Sequence, residues 1–211
     1  CGKINFTTAY FVEDSPSEQD SLYYNGAITC KNAVINHPDF KKLYKIQTDE
    51  DSTLNLITAI ENAPPSVVPG LYWWAVNQLR YLNRQPILNR LKNRELLEVI
   101  MHRVITLEPG YFFSGPYRFY GSLYTRIPGV ELSQSKTYFE QAIAANPEYL
   151  GNAVLMAEFY HQKAGNRELF NKILKEVSNA NLANNPELLL ENFFYQRKAM
   201  NLLKNESLLF E

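Results

Sequence analysis

Apolar and small residues along this chain recur at helical spacing rather than in the alternation of a strand. The clearest stretch reads Tyr120-Gly121-x-x-Tyr124, a loop, then Ser135-x3-Phe139-x2-Ala142-x4-Pro147. Gly121 and Ser135 are small enough for two antiparallel helices to approach closely. Phe139 is expected to fill the space between one hairpin and the next. Pro147 cannot continue the helix before it. This is the skeleton of a tetratricopeptide unit, a helix, a turn and a second helix. Such a hairpin cannot bury its apolar face alone, so copies are expected.

The slots of the second helix recur. A shift of 38 residues upstream gives Leu97, Met101, Val104 and Pro109. A shift of 34 downstream gives Leu169, Ile173, Glu176 and Asn181, with Met156-Ala157-x-x-Tyr160 repeating the first-helix pair. Gly26, Cys30, Ala33 and Pro38 fit the same frame near the N-terminus. The pattern predicts an all-α fold of tetratricopeptide-like antiparallel hairpins stacked in a right-handed array. An irregular helical bundle is the competing reading of the same helices.

Start and stop signals place the elements. Ser15-Pro16 opens a helix running to about His37, and a short helix follows Pro38 to about Ile46. Further helices are predicted over roughly 52–61, 67–82, 87–107, 115–125, 131–145, 147–164, 166–180 and 186–203. The acidic stretch Thr48-Asp49-Glu50-Asp51 reads as a solvated loop. Residues 1–14 show no helical period and read as a tether, leaving 15–211 as a single helical repeat domain.

Formal net charge is −1 over 211 residues, which gives no electrostatic case for a nucleic-acid partner. No apolar run approaches the length of a membrane span. The chain begins Cys1-Gly2-Lys3, as a bacterial lipoprotein does once its signal peptide is removed. Lipidation of Cys1 is therefore expected, with anchoring to a membrane. A disulfide to Cys30 is the alternative, although Cys30 falls in a buried repeat slot.

Catalytic chemistry is hard to find. His37, His102 and His161 sit in no metal-binding pattern, no serine lies in a nucleophile elbow, and no phosphate loop is present. An enzyme, a metal and a cofactor are not expected. What stands out is an aromatic share of 13%, concentrated at two helix starts. One is Val68-Pro69-Gly70-Leu71-Tyr72-Trp73-Trp74, the other Gly110 to Tyr120 with Tyr117, and Tyr124 beyond it. Successive residues on a helix point to different faces. Tyr72, Trp73 and Trp74 should therefore not all enter one core stripe. Together with Tyr117, Tyr120 and Tyr124 they are candidates for lining a pocket or a partner surface.

From Val68 to Leu203 the chain resembles the T-component of tripartite ATP-independent periplasmic (TRAP) transporters. The resemblance is carried by Val68 to Trp74, Leu107-Glu108-Pro109, Tyr120-Gly121-x-x-Tyr124, Ile127-Pro128-Gly129 and Ser135 to Ala142. It continues through Ala157-Glu158-Phe159-Tyr160, Arg167-Glu168-Leu169-Phe170, Leu174-x-x-Val177 and Asn185-Pro186-Glu187-Leu188-x-Leu190-x-Asn192. Val130 and Glu131 depart from it, at a turn where the family often has glycine or a small polar residue. The resemblance implies a periplasmic lipoprotein that forms homotrimers and binds a periplasmic solute-binding protein. It also implies a hydrophobic pore or pocket through each protomer. A tetratricopeptide-type scaffold lipoprotein is the competing function, with Asn77, Arg80 and Arg84 as candidates on a partner-binding face.

Overall fold

A computed structural model describes residues 1–44 and 52–210, so the acidic stretch at 48–51 lies outside the described residues. Helices form every long element: α1 Gly2–Phe11, α2 Pro16–Asn36, α3 Pro38–Leu43, α4 Ser52–Glu61, α5 Val68–Leu82 and α6 Ile87–Leu107. They continue with α7 Tyr111–Tyr124, α8 Leu132–Ala145, α9 Leu150–Leu155, α10 Arg167–Ser178, α11 Leu189–Lys204 and α12 Glu206–Leu209. A π-helical turn, Met156–His161, extends α9, and no strand occurs among the described residues. The all-α expectation holds. The contacts divide the chain into two compact units, Cys1–Pro109 and Gly110–Glu211.

In the first unit α5 is central and packs against α1, α2 and α6. Its pairing with α2 is antiparallel. Arg84 reaches the Pro16 carbonyl at 2.9 Å, Asn77 faces Gly26, and Gly70 faces Val34. Neighbours on several sides explain how Tyr72, Trp73 and Trp74 are all buried, at 2, 7 and 2% exposure. The expectation that some of them must face outward is corrected: a helix enclosed on several faces has more than one core stripe.

Residues 2–11, expected to lack helical structure, form α1. Tertiary packing overrides the weak propensity of Ile4, Thr7 and Thr8. Phe6 is buried with its ring 5.6 Å from Trp73 and 6.3 Å from Tyr23. Arg80 lies 4.3 Å from the Tyr10 ring. Asn77, fully buried, donates to the Gly2 carbonyl at 3.1 Å, which removes it from any partner-binding face. Cys30 is buried beside Gly2, and neither cysteine is in a disulfide. Burial pushes the Cys30 thiol up, so it stays protonated and inert.

The second unit holds the opening motif. Helices α7 and α8 run antiparallel, with Gly121 facing Ser135 and Ser114 facing Asn146. Ser135 Oγ donates to the Gly121 carbonyl at 2.7 Å. A Cβ on Gly121 would stand 2.7 Å from the Phe139 ring, so only glycine fits there. Phe139 is fully buried. Its ring lies on Gly121, within its own hairpin. The α7–α8 loop turns at Gly129, whose φ of +79° takes the left-handed position. Val130 and Glu131 are therefore free to depart from small residues.

Helices α10 and α11 are also antiparallel: Gln196 donates to the carbonyls of Val177, Ser178 and Ala180, and Arg167 pairs with Glu206 at 2.7 Å. Helices α9 and α11 run parallel, Asn192 accepting from the Leu150 amide and Lys198 meeting Glu158 at 3.2 Å. Asn192 caps the start of α9, which is why that helix begins at Leu150 and not at Pro147.

The repeat frame needs two shifts. Leu97, Met101, Val104, Ser135, Phe139 and Ala142 are buried as expected. On α10 the buried face is Phe170, Leu174 and Val177, one residue on from Leu169, Ile173 and Glu176. On α2 the third slot is Val34, because Ala33 is exposed.

Candidate ligand- or partner-binding site

The aromatic candidates separate by exposure. Tyr72, Trp73 and Trp74 belong to the core of the first unit, with Lys31 Nζ 5.8 Å from the Trp74 ring. In the second unit Tyr117, Tyr120 and Tyr124 follow one another at i, i+3 and i+7 and share a face of α7. Tyr120 is buried, while Tyr117 and Tyr124 are half-buried. Tyr138 of α8, which the sequence did not single out, completes the group. Its ring stacks on Tyr120 at 5.0 Å and meets Tyr124 edge-on at 5.7 Å. Tyr120 and Tyr124 lie 5.5 Å apart. Tyr120, Tyr124 and Tyr138 thus pack ring against ring across α7 and α8.

The start of α7 is set by an unusual turn. Phe112, Phe113 and Ser114 all take left-handed backbone angles, with φ of 46°, 56° and 60°. Each costs about 1–2 kcal/mol for a residue with a Cβ, so the surroundings must hold the turn. Arg118 does so. It is 4% exposed and donates to the Phe113 and Phe112 carbonyls at 2.7 Å each, and to Asn152 Oδ1 at 3.1 Å. Its guanidinium lies 4.7 Å from the Tyr149 ring. Asn152, also buried, donates to the Ala142 carbonyl at 2.9 Å, and Asn146 donates to Ser114 Oγ at 2.6 Å. The right-handed part of α7 begins at Gly115, where the sequence placed the helix start.

Reasoning from the sequence missed Arg118 and Asn152. The available signal was a permanent cation between Tyr117 and Phe119, and an amide inside an apolar helix. Buried polar groups of that kind demand partners.

The π turn brings a second polar group inside. His161 is 3% exposed, and its Nδ1 has no hydrogen-bond partner among the described residues. Burial holds its pKa below the usual histidine value, Lys136 lowers it further, and Glu140 opposes them. The folded chain thus binds fewer protons at this site than the unfolded one. Stability from neutral His161 is complete above the unfolded value near 6.5 and is lost as pH falls from there through the lower folded value. The urea midpoint is expected to drop between about pH 7.5 and about pH 5.5. His161→Gln should flatten that dependence; an unchanged slope would assign it to other groups.

Among the described residues no three His, Cys, Asp or Glu side chains gather where they could hold a metal, and no helix is long and apolar enough to cross a membrane. Arg84 pairs with Asp20 at 3.4 Å and Arg80 lies on the rings of α1, so neither stands clear as a partner residue.

Antiparallel helical hairpins, one of them carrying a tyrosine cluster, make this an all-helical protein over its described residues. The family model described as TAtT, TRAP transporter T-component, matches residues 16–210, and the chain belongs to that family. Membership gives it an accessory role in TRAP transport. The match includes α2 to α4, beyond the region where the sequence alone carries the resemblance. A search of curated proteins finds no match.

Proposed function

We propose that the chain is a non-enzymatic, envelope-anchored accessory component of a TRAP-type uptake system, which binds the solute-binding protein of that system. The family match over residues 16–210 carries this reading. The tyrosine cluster of α7 and α8 is the proposed contact, either with that protein or with a small apolar or amphipathic ligand passing beside it. Tyr124 and Tyr138, both partly exposed, support this. A tetratricopeptide-like stack is the proposed architecture. It is supported by the parallel register of α9 and α11, as first helices of successive hairpins would have. Homotrimer formation, a periplasmic location and lipidation of Cys1 complete the reading.

Affinity purification from detergent-solubilised membranes tests the partner. A TRAP solute-binding protein is expected as the main co-purifying species. Recovery of an outer-membrane assembly factor in its place would favour an envelope scaffold.

A further inference from the structure

Helix α6 has two halves of different character. Its buried residues, Leu97, Ile100, Met101 and Val104, all lie in the C-terminal half. The first two turns carry none. Instead Ile87, Leu88 and Leu91 are exposed at 44, 63 and 42%. At about 100° per residue these three fall within one arc of about 100°. That arc points away from the one holding the buried set. Lys92 lies on one edge of the arc, and Arg94 and Arg90 lie on the other.

Charge at the start of α6 is mostly positive, and exposed Glu95, one turn beyond Leu91 on the same arc, ends the apolar stripe. From Arg84 to Arg94 there are four cations, Arg84, Arg90, Lys92 and Arg94, and no Asp or Glu. Lys92 is exposed. Arg84 is held by Asp20, Gln19 and the Pro16 carbonyl, whereas Arg94 meets Glu98 at 3.0 Å near the surface. Such a surface pair is worth little in water and exchanges readily for another anion. Arg90 donates to the Asn83 and Gln85 carbonyls at 3.3 and 3.4 Å, fixing the turn that presents the helix.

An exposed apolar stripe bordered by cations is the arrangement of a helix lying in a membrane interface. The apolar side chains enter the acyl boundary, and Lys and Arg reach the headgroups on their long stems. The exposed stripe on α11 is a useful contrast. Leu189, Leu190, Phe193 and Met200 are bordered by Glu187, Glu191 and Arg197, a mixed set that favours no anionic surface. We propose that Ile87, Leu88 and Leu91 of α6, with Lys92 and Arg94, form a docking face for an anionic lipid bilayer. This face is independent of any acyl chain on Cys1 and would set which side of the first unit meets the membrane.

The test uses the full chain carrying Cys1→Ser, so that no lipid anchor contributes. Flotation is measured with phosphatidylglycerol-containing vesicles and with phosphatidylcholine vesicles. Binding is expected to the anionic vesicles only, and to fall steeply as salt is raised. Leu88→Glu/Leu91→Glu should abolish it. Lys92→Glu should weaken it by at least about fivefold, the worth of one interfacial cation. Leu189→Glu/Leu190→Glu on α11 should leave it unchanged. Absent binding, equal binding to both vesicle types, or full binding by Leu88→Glu/Leu91→Glu would overturn the proposal. A change of sedimenting mass in that variant without loss of vesicle binding would also overturn it, in favour of a protein interface. The exposed positions leave the fold intact, which thermal unfolding of each variant verifies.

Discussion

Arg118→Met is expected to destabilise the protein by about 2–5 kcal/mol. The guanidinium is the main donor to two part-buried carbonyls, those of Phe112 and Phe113, and each acceptor left short of a partner costs up to about 1–3 kcal/mol. The left-handed turn at 112–114 would then be free to relax, which recovers part of its strain and keeps the loss below the simple sum. Arg118→Lys should recover little. An ammonium is a point charge, and it cannot fork to two carbonyls while lying flat on Tyr149. Urea unfolding measures both variants. A loss under about 1 kcal/mol for Arg118→Met would mean that the turn is held by the packing of Phe113 on Tyr149, stacked at 4.7 Å, and not by the arginine.

The second large effect lies at the contact of Gly121 with Phe139. Phe139→Ala should cost about 3–5 kcal/mol, because a fully buried ring leaves a cavity that two helices pinned by Ser135 cannot close. Gly121→Ala destabilises for the opposite reason, as its methyl would meet the ring at 2.7 Å. The two changes are coupled. Gly121→Ala combined with Phe139→Leu should lose less than the sum of the single variants, since the smaller side chain gives the methyl room. Additive losses would show that the ring and the glycine do not share one space.

Helix positions in this protein were legible because proline, glycine and capping residues mark them locally. The ends of α6 at Ile87 and Leu107 agree with the sequence. Faces were less legible. The α10 frame was displaced by one residue because Leu169 and Phe170 are both apolar, and only the partner helix decides which enters the core. α1 was missed because it is held by packing on α2 and by Trp73, Asn77 and Arg80 of α5, contacts that no local pattern records. For the site, the i, i+3, i+7 spacing of Tyr117, Tyr120 and Tyr124 was visible in the chain. Tyr138 was not, because its place beside them depends on how α8 folds back. The burial of Trp73 and Trp74 follows from the number of helices around α5, which no local pattern records.

The account rests on recognition of a transporter's solute-binding protein by the tyrosine face of α7 and α8. Calorimetric titration of the full chain with that protein, purified from the same uptake system, tests it most directly. Saturable binding is predicted for the wild-type chain. It should weaken by about tenfold or more in Tyr124→Ser/Tyr138→Ser, since truncating a single hot-spot tyrosine costs about 2 kcal/mol or more, with unfolding midpoints retained. No heat of binding by the wild type, or equal affinity in the folded double variant, would contradict it.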